Sequence, residues 1–293
     1  CMMSIDNILE VKHVTKKYKD FTLSDISFSL PEGYILGLIG KNGAGKTTLM
    51  NCLIGCIDYQ GEVIIDGVMN TIHERLASDK IGFIVEKGPF FMKATLLENG
   101  ELFGRFYQDF DEEKFLKLLL EFGLYYDTEY EKLSKGMETK FQLAFALAHS
   151  PKVLVLDEPT GGLDPSFRRT FLNILQTVVE KENTSIIIST HLTTDLDKVA
   201  DYIMMLDDGK MVLFEDKESL LDKYPLVSGN VEILKDIPKT AYTRVRKNGN
   251  VFWTIFTDLE YLKENESMKE KLQIQRTNLE EIMYFFSVPT IAF

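Results

Sequence analysis

The chain has 293 residues, 45% hydrophobic and 27% charged, a balance expected of a globular protein with room for a large domain and a smaller second unit. Its formal net charge of −12 argues against a nucleic-acid binder, because phosphate backbones repel such a surface. The sequence predicts no signal peptide and no apolar run of about 18 residues able to span a bilayer, so any membrane role must come through a partner chain. Of three cysteines, Cys1 precedes two methionines and reads as an expression remnant. Cys52 and Cys56 lie four apart on a helix, with no histidine or further cysteine to complete a metal set. They are expected to be small buried apolar residues in a reduced cytoplasm.

Residues 8–30 alternate apolar and polar side chains, as in Leu9-Glu10-Val11-Lys12 and Leu23-Ser24-Asp25-Ile26. This predicts a strand pair with Tyr18 in the turn. The apolar run at 34–39 predicts a buried strand entering Gly40-Lys41-Asn42-Gly43-Ala44-Gly45-Lys46-Thr47-Thr48. Gly, four residues, then Gly-Lys-Thr is a complete P-loop. Gly40, Gly43 and Gly45 let the backbone curl until its N–H groups, with Asn42 and Thr48, surround a phosphate chain. Lys46 can reach the β- and γ-phosphates, and the Thr47 hydroxyl can ligate Mg²⁺. The helix that follows turns the positive end of its dipole toward the same anion.

Residues 61–67 read as a short strand closed by a turn, and 81–85 as a buried strand ending at Glu86. From about 89 to 150 helical periods dominate, which predicts a helical subdomain inserted into an α/β core. Within it, Leu133-Ser134-Lys135-Gly136-Met137 opens a helix, with Ser134 as N-cap and Gly136 allowing close approach to an anion. The sheet resumes at 153–158, followed by a helix at 165–181, a strand at 185–189, a short helix from about Thr194 and a hairpin at 202–214. Both buried strands are apolar throughout, as in a parallel sheet covered on two faces.

A new pattern starts near Pro225. Residues 242–245 and 251–256 read as a hairpin turning at Asn-Gly, 272–275 as a strand, and Thr277-Asn278-Leu279-Glu280 as a capping box opening a last apolar helix. Residues 223–293 form a small α+β appendage. It contains no paired acids or phosphate loop, and a unit of this size gains from packing on its own cassette or on a second subunit, so it is expected to serve dimerisation or regulation.

Asp157-Glu158 ends an apolar strand and is followed by Pro159-Thr160. At that place Asp157 can hold Mg²⁺ and Glu158 can orient or deprotonate an attacking water. His191, just past the strand at 185–189, can reach the γ-phosphate and the water.

The order of P-loop, inserted helices, Leu-Ser-Lys-Gly-Met, paired acids and histidine resembles the ATPase subunits of ATP-binding cassette (ABC) transporters, over residues 5–222. The resemblance implies a P-loop ATPase core with an antiparallel β subdomain, binding ATP and Mg²⁺. In it Tyr18 would stack on adenine, Ser134 and Gly136 would cap the γ-phosphate of the opposite subunit, Asp164 would belong to the D-loop, and His191 would be the switch residue. It also implies a head-to-tail homo- or heterodimer, peripheral on the cytoplasmic face of the membrane through separate transmembrane permease subunits. Two departures stand out. Lys135 and Met137 replace residues of the usual Leu-Ser-Gly-Gly-Gln, and Glu86 stands where glutamine is usual. Glutamate can still ligate Mg²⁺ and act in catalysis but cannot donate when ionised. Glutamate there resembles the subgroup that exports, or confers immunity to, bacitracin-type and lantibiotic peptides. Aromatics between Gly88 and Tyr107 would partly line a groove for the permease's coupling helix. The alternatives are a soluble ABC ATPase acting as a sensor or in DNA or ribosome transactions. Against these stand about 110 residues without a heptad run between P-loop and paired acids, a single cassette, and the presence of both Glu158 and His191.

Overall fold

The computed structural model describes residues 7–70, 77–86 and 88–287; Cys1, the first cassette positions and residues 288–293 of the tail lie outside the described residues. An antiparallel pair opens the chain, β1 (Asn7–Lys17) and β2 (Thr22–Pro31), with Leu9, Val11, Leu23 and Ile26 facing inward. β3 (Ile35–Ile39) enters the P-loop and α1 (Lys46–Leu53) leaves it. β4 (Gln60–Ile65) and β5 (Val68–Met69) complete a sheet ordered β2-β1-β4-β5. β6 (Ile81–Ile84) returns to the centre. The inserted helices are α2 (Leu96–Gly104), α3 (Glu112–Glu121) and α4 (Lys135–Ala148), each started by a side-chain cap, from Thr95, Asp111 and Ser134. Then come β7 (Val153–Asp157), α5 (Pro165–Glu182), β8 (Ser185–Ser189), α6 (Thr193–Val199), the hairpin β9 (Tyr202–Asp207) and β10 (Lys210–Asp216), and α7 (Lys217–Lys223).

The central sheet has the order β10-β9-β3-β8-β7-β6 and is parallel except for the edge strand β10. Its inner strands β3, β7 and β8 are apolar except at their ends because successive side chains enter two different cores. Leu36, Leu38, Val153, Val155 and Ile187 pack with α1 and the antiparallel sheet. Ile35, Ile39, Leu154, Leu156, Ile186 and Ile188 pack with the inserted helices, α5 and α6. The register puts the carboxyl ends level, Leu38 opposite Ser189, Ser189 opposite Asp157, and Leu156 opposite Ile84. In open α/β sheets ligands bind beyond those ends.

The remainder holds β11 (Leu226–Asn230), β12 (Arg246–Asn248), β13 (Val251–Ile255), α8 (Leu259–Glu264), α9 (Glu266–Lys269), β14 (Gln273–Gln275) and α10 (Leu279–Phe286). Its sheet, β12-β13-β11-β14, covers a small core of its own around Val227, Phe252, Phe256 and Leu262. α10 belongs elsewhere. Leu279, Ile282 and Phe285 join Leu196, Val199, Leu220 and Leu221 in the main core, so the appendage docks on its own cassette.

Several local expectations are corrected. The hairpin pairs Asn248 with Val251, so its two-residue turn is Gly249-Asn250, with Gly249 at φ 57°, one residue past the Asn-Gly position. Residues 242–245 contribute one isolated bridge, Tyr242 to Phe256, and no ladder. The cap of α10 is Asn278, whose Oδ1 accepts the Glu281 amide at 2.9 Å; Thr277 is buried, and the Thr277–Glu280 box does not form. Cys52 is buried but Cys56 is exposed. Most of the tail's apolar side chains point inward, while Val251 and Tyr284 remain exposed.

Candidate active site

The P-loop leaves β3 through Gly40 at φ 153° and meets α1 at Gly45, φ 108°. A side chain at Gly40 would collide with the Leu206 carbonyl, 2.4 Å from the ideal Cβ, so glycine is required by space as well as conformation. Gly45 caps α1 without any side-chain hydrogen bond, which leaves the helix N-terminus open toward the cavity. Lys46 is buried and its Nζ donates to the carbonyls of Gly40 (2.8 Å) and Lys41 (3.2 Å). Burial lowers its pKa, and the charges of Glu158 and Asp157 act in the opposite direction. The lysine therefore sits in the loop it must serve.

Asn42, Gly43, Gly45, Lys46, Thr47 and Thr48 line a cavity of about 470 Å³ with Asp157, Glu158 and Phe21. A second cavity of about 260 Å³ brings Thr47 and Asp157 together with Glu86, Glu158 and His191. Five sequence-predicted residues from four separate strand ends thus share one space. Asp157 accepts a 2.5 Å hydrogen bond from the Ser189 hydroxyl, which also accepts from the Glu158 amide at 3.1 Å. Glu158 is not glycine yet adopts φ 49°, a left-handed conformation that costs on the order of 1 kcal/mol. The bend turns its carboxylate onto His191, with Oε2 2.7 Å from Nδ1 and 3.3 Å from the backbone N. A carboxylate can only accept, so Nδ1 carries the proton.

The remaining predictions divide. Ser134 and Gly136 do not reach either cavity of their own chain. Ser134 caps α4 by accepting from Met137 N at 3.3 Å, and a Cβ at Gly136 would lie 2.9 Å from the Gly162 carbonyl. Asp164 is likewise used as a cap, accepting from Phe167 N at 2.9 Å to start α5. Tyr18 is 48% exposed and stands outside the P-loop cavity, its ring 6.5 Å from Phe21. Phe21 is the aromatic that lines the cavity, its ring closing over Gly45. Phe21 was legible as a second aromatic three residues after Tyr18, and Ser189 as the polar end of an apolar strand. Arg168 also escaped notice. Its guanidinium grips Asp195 at 2.7–3.0 Å, with the carboxylate 1% exposed, and locks α5 to α6 beyond the histidine.

A larger groove of about 910 Å³ shares Thr47, Glu86 and Asp157 with the second cavity. Its walls are Phe90, Phe103, Phe106, Tyr107 and Phe145, a mixture of buried and exposed rings. No helix among the described residues is long and apolar enough to cross a membrane.

Residues 23–161 match the ABC transporter family model. The chain is 35% identical over 210 residues to YhcH of Bacillus subtilis (strain 168), an uncharacterized ABC transporter ATP-binding protein, covering 70% of this chain and 68% of that one. Nod factor export ATP-binding protein I of Neorhizobium galegae is 30% identical over 289 residues, covering 94% of this chain and 83% of its own length. Bacitracin transport ATP-binding protein BcrA of Enterococcus faecalis is 30% identical over 215 residues, covering 72% and 70%. The dimeric structure of a post-hydrolysis state of the cassette MJ0796 bound to ADP and Pi superposes with a TM-score of 0.65 at 25% identity, covering 71% of this chain and 98% of that one. The chain belongs to the ABC transporter family, as one of its ATP-binding, ATP-hydrolysing cassettes.

Proposed function

We propose that the chain is the ATPase subunit of an exporter whose transmembrane subunits are separate chains, and that its cargo is an amphipathic or antimicrobial peptide or a similar membrane-active compound. The Nod factor export relative supports export; the peptide class rests on the bacitracin transport relative together with Glu86. The chain works at the cytoplasmic face of the membrane. Two cassettes pair head to tail, so that Ser134 and Gly136 of one meet the nucleotide held by Gly40–Thr48 of the other. That arrangement accounts for Ser134 and Gly136 lying outside both cavities of their own chain.

In each site Lys46 and the α1 N-terminus bind the phosphates, and Phe21 with Tyr18 flanks the base. Water attacks the γ-phosphorus, the bond to the bridging oxygen of ADP breaks, and Glu158 accepts the water's proton. His191 holds that carboxylate in place. Thr47, Asp157 and Glu86 are all oxygen donors, too few to cage a metal alone; this partial set fits Mg²⁺, which draws its other ligands from phosphate and water. When bound, the ion would neutralise charge developing on the phosphates.

The observation that carries this reading is the aromatic groove ending at Thr47, Glu86 and Asp157. A helix of a membrane subunit seated there touches the chemistry directly. Phe106 is 76% exposed at this groove and outside the catalytic set. Phe106→Asp should leave basal ATP hydrolysis within about twofold and weaken co-purification with the membrane subunit by about tenfold or more. Undiminished co-purification would refute the docking role.

A further inference from the structure

Gln142 lies in the middle of α4, in a run whose neighbours Phe141, Leu143, Ala144 and Phe145 are all buried apolar residues. It is only 3% exposed. A buried primary amide is costly unless both its ends are satisfied. Here one residue satisfies both. The Val85 amide donates to Oε1 at 3.0 Å, and Nε2 donates to the Val85 carbonyl at 3.1 Å. The side chain thus pairs with Val85 as a neighbouring strand would, at the point where β6 has ended.

Val85 is the residue before Glu86. Gly88, on the other side, lies close to the same side chain and leaves no free room for a side chain of its own. A Cβ there would lie 3.5 Å from Gln142 Cδ and 2.8 Å from the Phe90 ring. The residue immediately before Glu86 is therefore held by one side chain of α4. At its other end α4 begins at Ser134 and Lys135, and Lys135 and Glu138 of its first turn line the cavity that contains Glu86, Glu158 and His191.

We infer that Gln142 is a positioning residue that couples α4 rigidly to the Glu86 carboxylate, so that any displacement of the signature helix moves Glu86 against Thr47 and Asp157. The inference rests on the reading that Glu86 acts at the nucleotide. Apolar packing alone would hold α4 against β6 but would let it slide; two hydrogen bonds to the backbone of one residue fix its register as well as its distance.

Gln142→Met keeps length and volume and removes both bonds. In the nucleotide-free chain, amide exchange at Val85 should accelerate by about tenfold or more. In steady-state hydrolysis kcat should fall about tenfold while KM for ATP changes less than about twofold, the pattern of a group acting only in the transition state. Placed in a Glu86→Ala background, Gln142→Met should cause no further loss of kcat, because both changes disable one device. Gln142→Glu keeps the acceptor for the Val85 amide but sets a second oxygen against its carbonyl. It should reproduce the same pattern, and serves if the methionine variant does not fold. Unchanged Val85 exchange, or losses that multiply in the double variant, would overturn the coupling. Wild-type kcat in Glu86→Ala alone would instead overturn the role of Glu86 and the inference with it; accelerated Val85 exchange in Gln142→Met would then mark the failure as lying in that role and not in the clamp.

Discussion

The nucleotide edge of the cassette and the C-terminal domain use their residues in opposite ways. At the edge, Thr47, Glu86 and His191 are exposed, Glu158 sits in an unfavourable left-handed conformation, and Lys46 is buried against backbone carbonyls. Little there favours folding. The central sheet beneath supplies the stability, with β3, β7 and β8 buried on both faces. The C-terminal domain makes the converse bargain. Its own core is small, and its last helix contributes Leu279, Ile282 and Phe285 to the neighbouring cassette. A unit of this size buries too little surface to stand alone comfortably, and docking supplies the rest. Strain is tolerated where a large sheet supports it, and core is shared where the local sheet is too small.

Two substitutions break this contrast from its two sides. The larger effect is expected at the edge. Glu158→Gln removes the proposed proton acceptor while keeping shape, so turnover should fall by about 10²- to 10⁴-fold, with ATP affinity and thermal midpoint nearly unchanged. Hydrolysis within about threefold of wild type would remove Glu158 from the proposed mechanism. Phe285→Ala acts from the other side. It empties a fully packed position in α10 and should cost about 3–5 kcal/mol of unfolding free energy. Because Phe285 lies in the shared core, the loss should appear in the unfolding of the cassette, while ATP affinity of the folded chain is retained. A change of less than about 1 kcal/mol would mean that α10 does not hold the two parts together.

What could be read in the sequence follows the same division. Gly40 through Thr48 is contiguous, and Asp157, Glu158 and His191 each follow an apolar run, so their chemistry was written locally. The strand ends then had only one level to meet at. Gln142 and the Arg168–Asp195 pair were hidden because their partners are remote: Gln142 is 57 positions from Val85, and Arg168 is 27 from Asp195. The tail was least legible. In Asn248-Gly249-Asn250 two adjacent dipeptides suit a tight turn, and the pairing of Asn248 with Val251 chose the second. At α10 both Thr277 and Asn278 can cap; burial of Thr277 left Asn278 to do so. β11 escaped because Ser228 and Gly229 interrupt its apolar pattern, although it sits between β13 and β14 in its sheet.

His149 offers a smaller test, of the cassette's inner seam. It ends α4, is 3% exposed, and stacks on Tyr107 with ring centroids 4.1 Å apart. Its Nε2 lies 3.1 Å from the Ile81 carbonyl, so Nε2 carries the proton and donates. Nδ1 is buried and pairs with no donor among the described residues; burial opposes a second proton on the ring and outweighs the Ile81 and Phe145 carbonyls, which favour it. Burial accordingly pushes the imidazole pKa below its ordinary 6.5. The sign follows from proton counting. Above pH 6.5 the ring is neutral in both folded and unfolded chains and stability is fully present. Below it the unfolded chain takes up a proton that the folded chain refuses, and stability is lost until the pH falls through the lowered folded pKa. One such group contributes a slope of at most about 1.4 kcal/mol per pH unit. His149→Phe keeps an aromatic ring against Tyr107 and cannot titrate. Carboxylates contribute a slope of the same sign at lower pH, so the comparison belongs between about pH 5 and 6.5. There the wild type should lose stability to denaturant more steeply than the variant as the pH falls. Parallel curves over that window would show that His149 takes up its proton in place, and that the seam between α4, β6 and Tyr107 admits water.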